Sequence, residues 1–214
     1  MSSHHPAPQR IRLFESERLE RFTLLSPRSF VIAWVVLLPV IAAMAWGTAG
    51  PLAALALTGL GLAGWTLFEY AMHRFLFHLE PRAKWLRWLV FVIHGNHHDN
   101  PGDPMRGLMP LVVSGPVAVL VWLGCVALAG PAGSWLALGF ITGYVIYDAV
   151  HFACHHRAMR GGLGAMLKRH HMRHHHVDGT RNFAISAIFW DRLFGTRIAT
   201  LRRRPANSSR LRAR

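Results

Sequence analysis

The sequence predicts an all-α integral membrane protein with four transmembrane helices in two hairpins and a helical cap that carries most of the histidines. Two observations predict this fold. The first is that two stretches, 30–68 and 107–147, contain no charged residue over 39 and 41 positions respectively. The second is that thirteen of the 15 histidines fall in two windows, 73–98 and 151–176, each beginning just after one of these stretches.

The composition agrees with this class of protein. Hydrophobic residues make up 52% of the chain and charged residues only 16%, which excludes an intrinsically disordered chain. The net charge of +14 excludes an acidic soluble enzyme. We expect Cys125, in the third span, and Cys154, among the histidines, to be reduced, which argues against a disulfide-stapled secreted scaffold.

The chain begins with a polar arm of mixed charge, residues 1–29. Its apolar side chains, among them Phe14, Leu19 and Phe22, fit a short helix at the membrane interface. The arm contains three glutamates, which argues against a cleaved signal peptide.

Each charge-free stretch is long enough for two spans, because one spanning helix needs about 20 apolar residues. Turns rich in glycine and proline divide both stretches, at 47–51 and 130–134. The four expected spans are approximately 30–47, 51–69, 109–129 and 134–149.

All 24 lysines and arginines lie outside these hairpins, and an even number of spans places them on one side of the membrane. By the positive-inside rule, we expect the termini and the histidine windows on the cytoplasmic side. The basic C-terminal segment 198–214 is expected to be disordered and to face anionic lipid or the cytoplasm. No nucleic-acid partner is expected.

The histidines are spaced in an ordered way. H-x-x-H-H motifs begin at His94 and His171. Because positions i, i+3 and i+4 lie on one helix face, we expect the histidines of each motif to converge, as we expect for His151 with its i+4 neighbour. His73 and His78 lie about 140° apart on an ideal helix, so either they face different metals or the helix deforms between them.

Metal coordination explains why so many imidazoles lie together, and zinc, copper or iron would fit a histidine-rich site. A structural zinc site is closed by four ligands, whereas ten candidates are enough for two metals with open positions. The ten predicted ligands are His73, His78, His94, His97, His98, His151, His155, His171, His174 and His175. We expect His156, His170 and His176 to support the ligands or to face solvent.

A carboxylate precedes the first histidine of each window: Glu69 precedes His73, and Asp148 precedes His151. A carboxylate at this spacing can accept the ring N–H of a ligating histidine and fix its orientation. The alternative is that it only marks the membrane boundary. We expect Glu69, Asp148 and His156 to support the metal ligands.

Five segments of the sequence carry more specific information. They are 69–78, 94–101, 147–156, 167–175 and 190–196. Together they resemble the fatty acid hydroxylase/sterol desaturase superfamily, and they are most similar to its fatty acid (sphingolipid) 2-hydroxylase branch. The resemblance covers about 65–197, and it identifies 30–197 as a fatty acid hydroxylase-like membrane domain.

The resemblance implies a cytosolic cap with a non-haem di-metal centre held by the ten histidines. The active metals would be two iron ions, for which zinc can substitute in purified samples, and O₂ would be the co-substrate. Members in eukaryotes often carry a cytochrome b5 domain, for which residues 1–29 are too few. We therefore expect a separate electron donor, either cytochrome b5-like or ferredoxin-like.

The leading interpretation is a membrane-bound di-iron oxygenase that hydroxylates an acyl chain of a fatty acid or acyl lipid taken from the bilayer. One alternative keeps the di-iron chemistry but acts on a sterol or carotenoid, by hydroxylation or desaturation. The other is a non-catalytic metal-binding membrane protein, such as a transporter or sensor. Transporters place their ligands near the membrane midplane, whereas the four expected spans contain no histidine.

Overall fold

The computed structural model describes residues 10–198, and every regular element in this range is a helix. The all-α prediction is therefore confirmed. Residues 1–9 and 199–214 lie outside the described part of the chain, and so does nearly all of the C-terminal segment that we expect to be disordered.

Nine α-helices follow one another between residues 10 and 198. The first five are α1 (Glu17–Phe22), α2 (Pro27–Ala45), α3 (Pro51–Met72), α4 (Lys84–Val90) and α5 (Asn96–Asp99). The other four are α6 (Leu111–Ala129), α7 (Gly133–His156), α8 (Gly162–His176) and α9 (Phe189–Leu193). Two π-helical turns, His73–Phe77 and Phe91–Gly95, continue α3 and α4 without a break.

Local sequence explains where the long helices begin and end. Ser26 caps α2 by accepting a hydrogen bond from the amide of Ser29 at 3.0 Å, and Pro27 opens the helix. Pro51 opens α3 in the same way. Between α6 and α7, Gly130 adopts a φ of +64°, which favours glycine and ends α6.

Three stretches are long and apolar enough to cross a membrane: Pro27–Ala45, Pro51–Phe77 and Leu111–His156. The third is 46 residues long and contains both α6 and α7, separated by a 3-10 turn at Gly130–Ala132. By length and composition the described residues 10–198 therefore contain three candidate spans, and the arrangement of four spans in two hairpins stays a prediction.

Helix α7 packs against α2, α3 and α6, so each of these long helices contacts it. Helix α7 runs antiparallel to α6, as two hydrogen bonds of 3.0 Å show. The amide of Met109, just before α6, donates to Asp148 in the C-terminal part of α7, and Trp122 of α6 donates to Ser134 at the start of α7. Tyr144 of α7 also makes an edge-to-face contact with Trp34 of α2, with ring centroids 5.4 Å apart.

The N-terminal arm folds back onto the loop before α6. A buried ion pair joins Glu20 of α1 to Arg106, and the amide of Leu25 donates to the carbonyl of Met105 at 2.9 Å. The apolar side chains of Leu19 and Phe22 remain exposed on α1. The arm therefore contains a short helix with exposed apolar side chains, and its position at a membrane interface stays a prediction.

Helices α3 and α7 lie in close parallel contact. A Cβ atom on Gly61 would lie 2.1 Å from the carbonyl oxygen of Leu136, and one on Gly139 would lie 2.0 Å from that of Thr58. Any side chain at either position would force the two backbones apart, so glycine permits this spacing. The contact brings the carboxyl ends of both helices, which carry His73 and His151, to the same end of the bundle.

We predict that Gly139→Ala lowers the stability of the folded protein by about 1–3 kcal/mol, because the added methyl group overlaps the backbone of α3. The measurement is thermal unfolding in detergent. The control is Gly59→Ala on α3, where a Cβ meets nothing within 4 Å. Equal unfolding midpoints for the two variants would contradict the close α3–α7 contact.

Candidate metal centre

The end of α3 deforms so that His73 and His78 face the same site. Residues His73–Phe77 form a π-helical turn, in which the amide of His78 donates to the carbonyl of His73 at 3.2 Å. A π-turn pairs residues five apart, so it removes the 140° separation of an ideal helix. The two Nε2 atoms lie 3.2 Å apart. Of the two alternatives that the spacing left open, deformation of the helix is the one observed.

The ten histidines identified from the sequence lie in two groups of five. Within each group, one candidate ligand atom from every residue lies within 4.8 Å of those from the others. The first group consists of His73, His78, His94, His98 and His174. The second group consists of His97, His151, His155, His171 and His175.

Each H-x-x-H-H motif divides between the two groups, which corrects the expectation that its three histidines converge. His94 and His98 belong to the first group and His97 to the second. In the motif beginning at His171, His171 and His175 belong to the second group and His174 to the first. On a helix, positions i and i+4 lie about 40° apart, whereas position i+3 lies about 100° from i+4, so the same motif can serve two adjacent centres.

The two groups adjoin each other. The ring of His98, from the first group, stacks on that of His175, from the second, with centroids 4.2 Å apart. The rings of His97 and His98, neighbours in sequence, have centroids 6.1 Å apart across the same boundary. This arrangement could hold two metal ions side by side.

Burial keeps these imidazoles neutral. It lowers the pKa of His94, His97 and His171 well below the ordinary value, and neighbouring histidines lower it further. Burial also lowers the pKa of His78 to about 4 and that of His98 to about 3. A neutral imidazole has a lone pair for a metal, so the site is ready for metal binding at neutral pH.

The ring nitrogens also lack enough hydrogen-bond donors to satisfy one another. Nε2 of His98 lies 3.0 Å from Nε2 of His94, and Nε2 of His174 lies 3.0 Å from that of His78. Nε2 of His175 is buried and has no hydrogen-bond partner among the described residues. Coordination to a metal would satisfy these nitrogens together, so the donor set fits a transition metal.

Backbone carbonyls, rather than the predicted carboxylates, orient two rings of the first group. Nδ1 of His73 is hydrogen-bonded to the carbonyl oxygen of Phe183, and Nδ1 of His174 to that of Arg181 at 2.7 Å. Glu69 instead accepts hydrogen bonds from the amides of Ile185 and Ser186, both at 2.7 Å. The prediction that Glu69 receives the ring N–H of His73 is therefore wrong.

The corresponding prediction for Asp148 is also wrong. Asp148 accepts from the amide of Met109 and from the hydroxyl of Tyr144, both at 3.0 Å, while His151 is hydrogen-bonded to the backbone of Gly107. Both carboxylates accept from buried backbone amides that have no helical partner, and this need outweighs pairing with a ring on their own helix.

The three remaining histidines of the second window have different surroundings. His156 stacks on Phe152, with centroids 4.3 Å apart, and its Nε2 has no hydrogen-bond partner in the described chain, so the supporting role predicted for it is not seen. His170 is buried and is hydrogen-bonded to Asp191 at 2.9 Å. His176 is exposed.

Asp191 is the residue of this site that the sequence reasoning missed. It is fully buried beside the first group and accepts four hydrogen bonds from protein donors. Burial alone would raise its pKa, but hydrogen bonds from His170, Thr196 and the amide of Ala184 outweigh burial and lower it. The available signal was its place in the segment 190–196, for which the resemblance gave no residue-level role.

Two cavities reach the histidines. An apolar cavity of about 470 Å³ runs between α3, α6, α7 and the N-terminal arm, and it reaches His94, His97 and His151. A second, more polar cavity of about 570 Å³ borders His78, His94 and His98. The site therefore has one apolar approach and one mixed approach.

Comparisons with known proteins agree with this geometry. Residues 58–196 match the family described as fatty acid hydroxylase. A dihydroceramide fatty acyl 2-hydroxylase of Arabidopsis thaliana is 35% identical over 141 residues, covering 65% of this chain and 60% of the relative. The fatty acid 2-hydroxylase of Macaca fascicularis is 34% identical over 222 residues, covering 91% of this chain and 59% of the relative.

A fungal relative and a solved structure extend these comparisons. The ceramide very long chain fatty acid hydroxylase scs7 of Schizosaccharomyces pombe is 40% identical over 144 residues, covering 64% of this chain and 41% of the relative. A solved structure of full-length scs7p, in which only the hydroxylase domain is visible, matches with a TM-score of 0.73 and 32% identity. That match covers 85% of this chain and 70% of the solved one.

The chain spans about three fifths of the length of the plant and macaque relatives and about two fifths of the fission-yeast one. The family match covers well over half of the chain and includes all ten clustered histidines. The chain belongs to the fatty acid hydroxylase family.

Proposed function

We propose that this protein is a membrane-bound non-haem di-iron oxygenase that hydroxylates the acyl chain of a fatty acid or acyl lipid. The observation that carries the proposal is the placement of two adjoining five-histidine groups at the end of an apolar cavity. The relatives are named as 2-hydroxylases of fatty acids and of dihydroceramide fatty acyl chains, which supports hydroxylation at C2 of an acyl substrate.

The first and second groups would each hold one iron ion through neutral ring nitrogens. When bound, the iron pair supplies O₂ activation: with two electrons and two protons, one oxygen atom enters a C–H bond and the other leaves as water. The protein's own contribution is to keep the imidazoles neutral by burial, to orient rings such as His73 and His174 through backbone carbonyls, and to exclude bulk water.

The apolar cavity is the proposed binding site for the acyl chain. Its lining on α6 extends from Pro110 to Val121, which is about 17 Å along the helix axis at 1.5 Å per residue. Near its inner end it meets His94, His97 and His151. An acyl chain lying along α6 would therefore present a carbon near its polar end to the metal pair.

For the membrane topology we propose four spans, formed by α2, α3, α6 and α7. A continuous helix of 46 residues would be about 70 Å long, more than twice the thickness of the hydrocarbon core. The break at Gly130–Ala132 and the antiparallel contact of α6 with α7 support two spans in this stretch. The positive-inside rule then places the histidine groups on the cytoplasmic side.

We propose that electrons come from a separate protein, cytochrome b5-like or ferredoxin-like. Exposed arginines follow α7 and lie on α8, namely Arg157, Arg160 and Arg169. A basic surface beside the metal groups is complementary to an acidic electron donor and would steer its approach.

We predict that expression of this chain in a host without such activity produces 2-hydroxy acyl lipids, detected by mass spectrometry of total lipids. His97→Ala and His174→Ala, one from each group, should each abolish the product and lower the metal content, because either change removes a ligand. The matched control is His176→Ala on the same helix as His174, which is exposed and should retain both.

The outcome of this experiment also separates the alternatives. If sterols or carotenoids change and no hydroxy-acyl species appears, the substrate is a sterol or a carotenoid rather than an acyl chain. Bound metal without O₂ consumption under any reductant would favour a non-catalytic metal-binding protein. Near-normal turnover by either histidine variant would contradict the ligand assignment.

We also predict that Val121→Trp shifts the products towards shorter acyl chains while metal content stays unchanged. Val121 lines the far end of the cavity on α6, so a larger side chain shortens the space available to the chain terminus. The control is Leu120→Trp, whose side chain is 67% exposed and points about 100° away from Val121 around the same helix. An unchanged product distribution for both variants would exclude this cavity as the acyl site.

A further inference from the structure

Asp191 lies at the centre of a buried hydrogen-bond network beside the first histidine group. One carboxylate oxygen accepts from the amide of Phe183 at 2.9 Å and from the hydroxyl of Thr196 at 2.7 Å. The other accepts from the amide of Ala184 at 2.8 Å and pairs with Nε2 of His170 at 2.9 Å. A carboxylate held by so many donors fixes the position of the backbone that supplies them.

The backbone held by Asp191 is the segment that orients the first group. The carbonyl of Phe183 pairs with Nδ1 of His73, and the carbonyl of Arg181 pairs with Nδ1 of His174. These bonds leave the Nε2 atom of each ring facing the centre of the group, where the two Nε2 atoms meet Nε2 of His78 at 3.2 and 3.0 Å.

The segment needs such support because its conformation is strained. Asn182 has a φ of +57°, in the left-handed region that residues other than glycine rarely adopt. Its side chain bonds on both sides, donating to the carbonyl of His170 and accepting from the amide of Ile198. The conformation therefore depends on contacts with α8 and with the residues that follow Asp191.

Among the described residues, no histidine of the second group is hydrogen-bonded to residues 181–184. His151 is hydrogen-bonded to the backbone of Gly107, on the other side of the site, and Nδ1 of His171 has no partner among the residues described. A change at Asp191 should therefore act on one metal site and spare the other.

We propose that Asp191 is a positioning residue that keeps the first histidine group in its metal-binding geometry by holding the backbone of 181–184. The inference rests on the proposed function, since it concerns one of the two metal sites assumed there. Its effect is selective: Asp191 sets the affinity of the first group for its metal and leaves that of the second group unchanged.

The test is the metal content of Asp191→Asn, measured per chain by elemental analysis on protein purified from iron-supplemented cells and followed during incubation with EDTA. The amide keeps the size of the carboxylate but presents an NH₂ group to donors. We expect wild type to retain two metals during the incubation and the variant to retain about one, because it loses the metal of the first group to EDTA about 10–100-fold faster.

The control is Asp178→Asn, in the same loop. The carboxylate of Asp178 is partly exposed, and its described contacts are Thr180 and Arg181. It should hold two metals. If Asp191→Asn fails to fold, Thr196→Val removes one donor to the carboxylate and should release the first metal several-fold faster than wild type.

The possible outcomes separate this inference from the function on which it rests. Two firmly held metals in folded Asp191→Asn, or equal loss of both metals, would overturn the positioning role alone. If Thr196→Val has to be used and it retains the metal of the first group as long as wild type does, the positioning role is overturned as well. A wild-type protein that holds no more than one metal would instead contradict the two-metal function itself.

Discussion

The structure depends on one constraint: ten imidazoles, six of them buried and four half-buried, must lie together, remain neutral and direct a nitrogen towards one of two adjacent centres. Burial and mutual proximity lower the pKa of rings such as His94 and His97, so protonation does not drive the groups apart at neutral pH. The close parallel contact of α3 with α7 provides the frame, because it brings histidines from distant parts of the chain to one end of the bundle. The apolar cavity ends at the same place.

Two local features determine which histidines of a helix face which of the two groups. The π-turn after α3 rotates His78 onto the face of His73, which a regular helix would not allow. The H-x-x-H-H motifs work in the opposite way: a regular helix spreads their histidines over an arc of about 100°, and the two centres share that arc. Two rings of the first group are hydrogen-bonded to carbonyls of an irregular segment after α8. In the second group, His151 is instead hydrogen-bonded to the backbone of Gly107, so different parts of the chain orient the two groups.

Much of this architecture could be predicted from the sequence, because charge-free stretches and histidine spacing report helices and ligands directly. The all-α fold and the identity of the ten clustered residues followed from those patterns. The division of each motif between two groups did not follow, since spacing gives an angle on one helix but not the position of a second centre. The partners of Glu69 and Asp148 could not be inferred either, because their backbone donors lie far away in sequence, 116 residues away for the amide of Ile185 and 39 for that of Met109. Asp191 was missed for a different reason: its donors lie close in sequence, but its role appears only when the folded segment that it holds is seen beside the histidines.

The most direct test of the account is anomalous X-ray scattering at the iron edge from crystals of the iron-loaded protein. The account predicts two separate peaks in each chain, one within the first group of five histidines and one within the second. A single peak, or a peak away from both groups, would contradict a two-metal centre built from these ten residues.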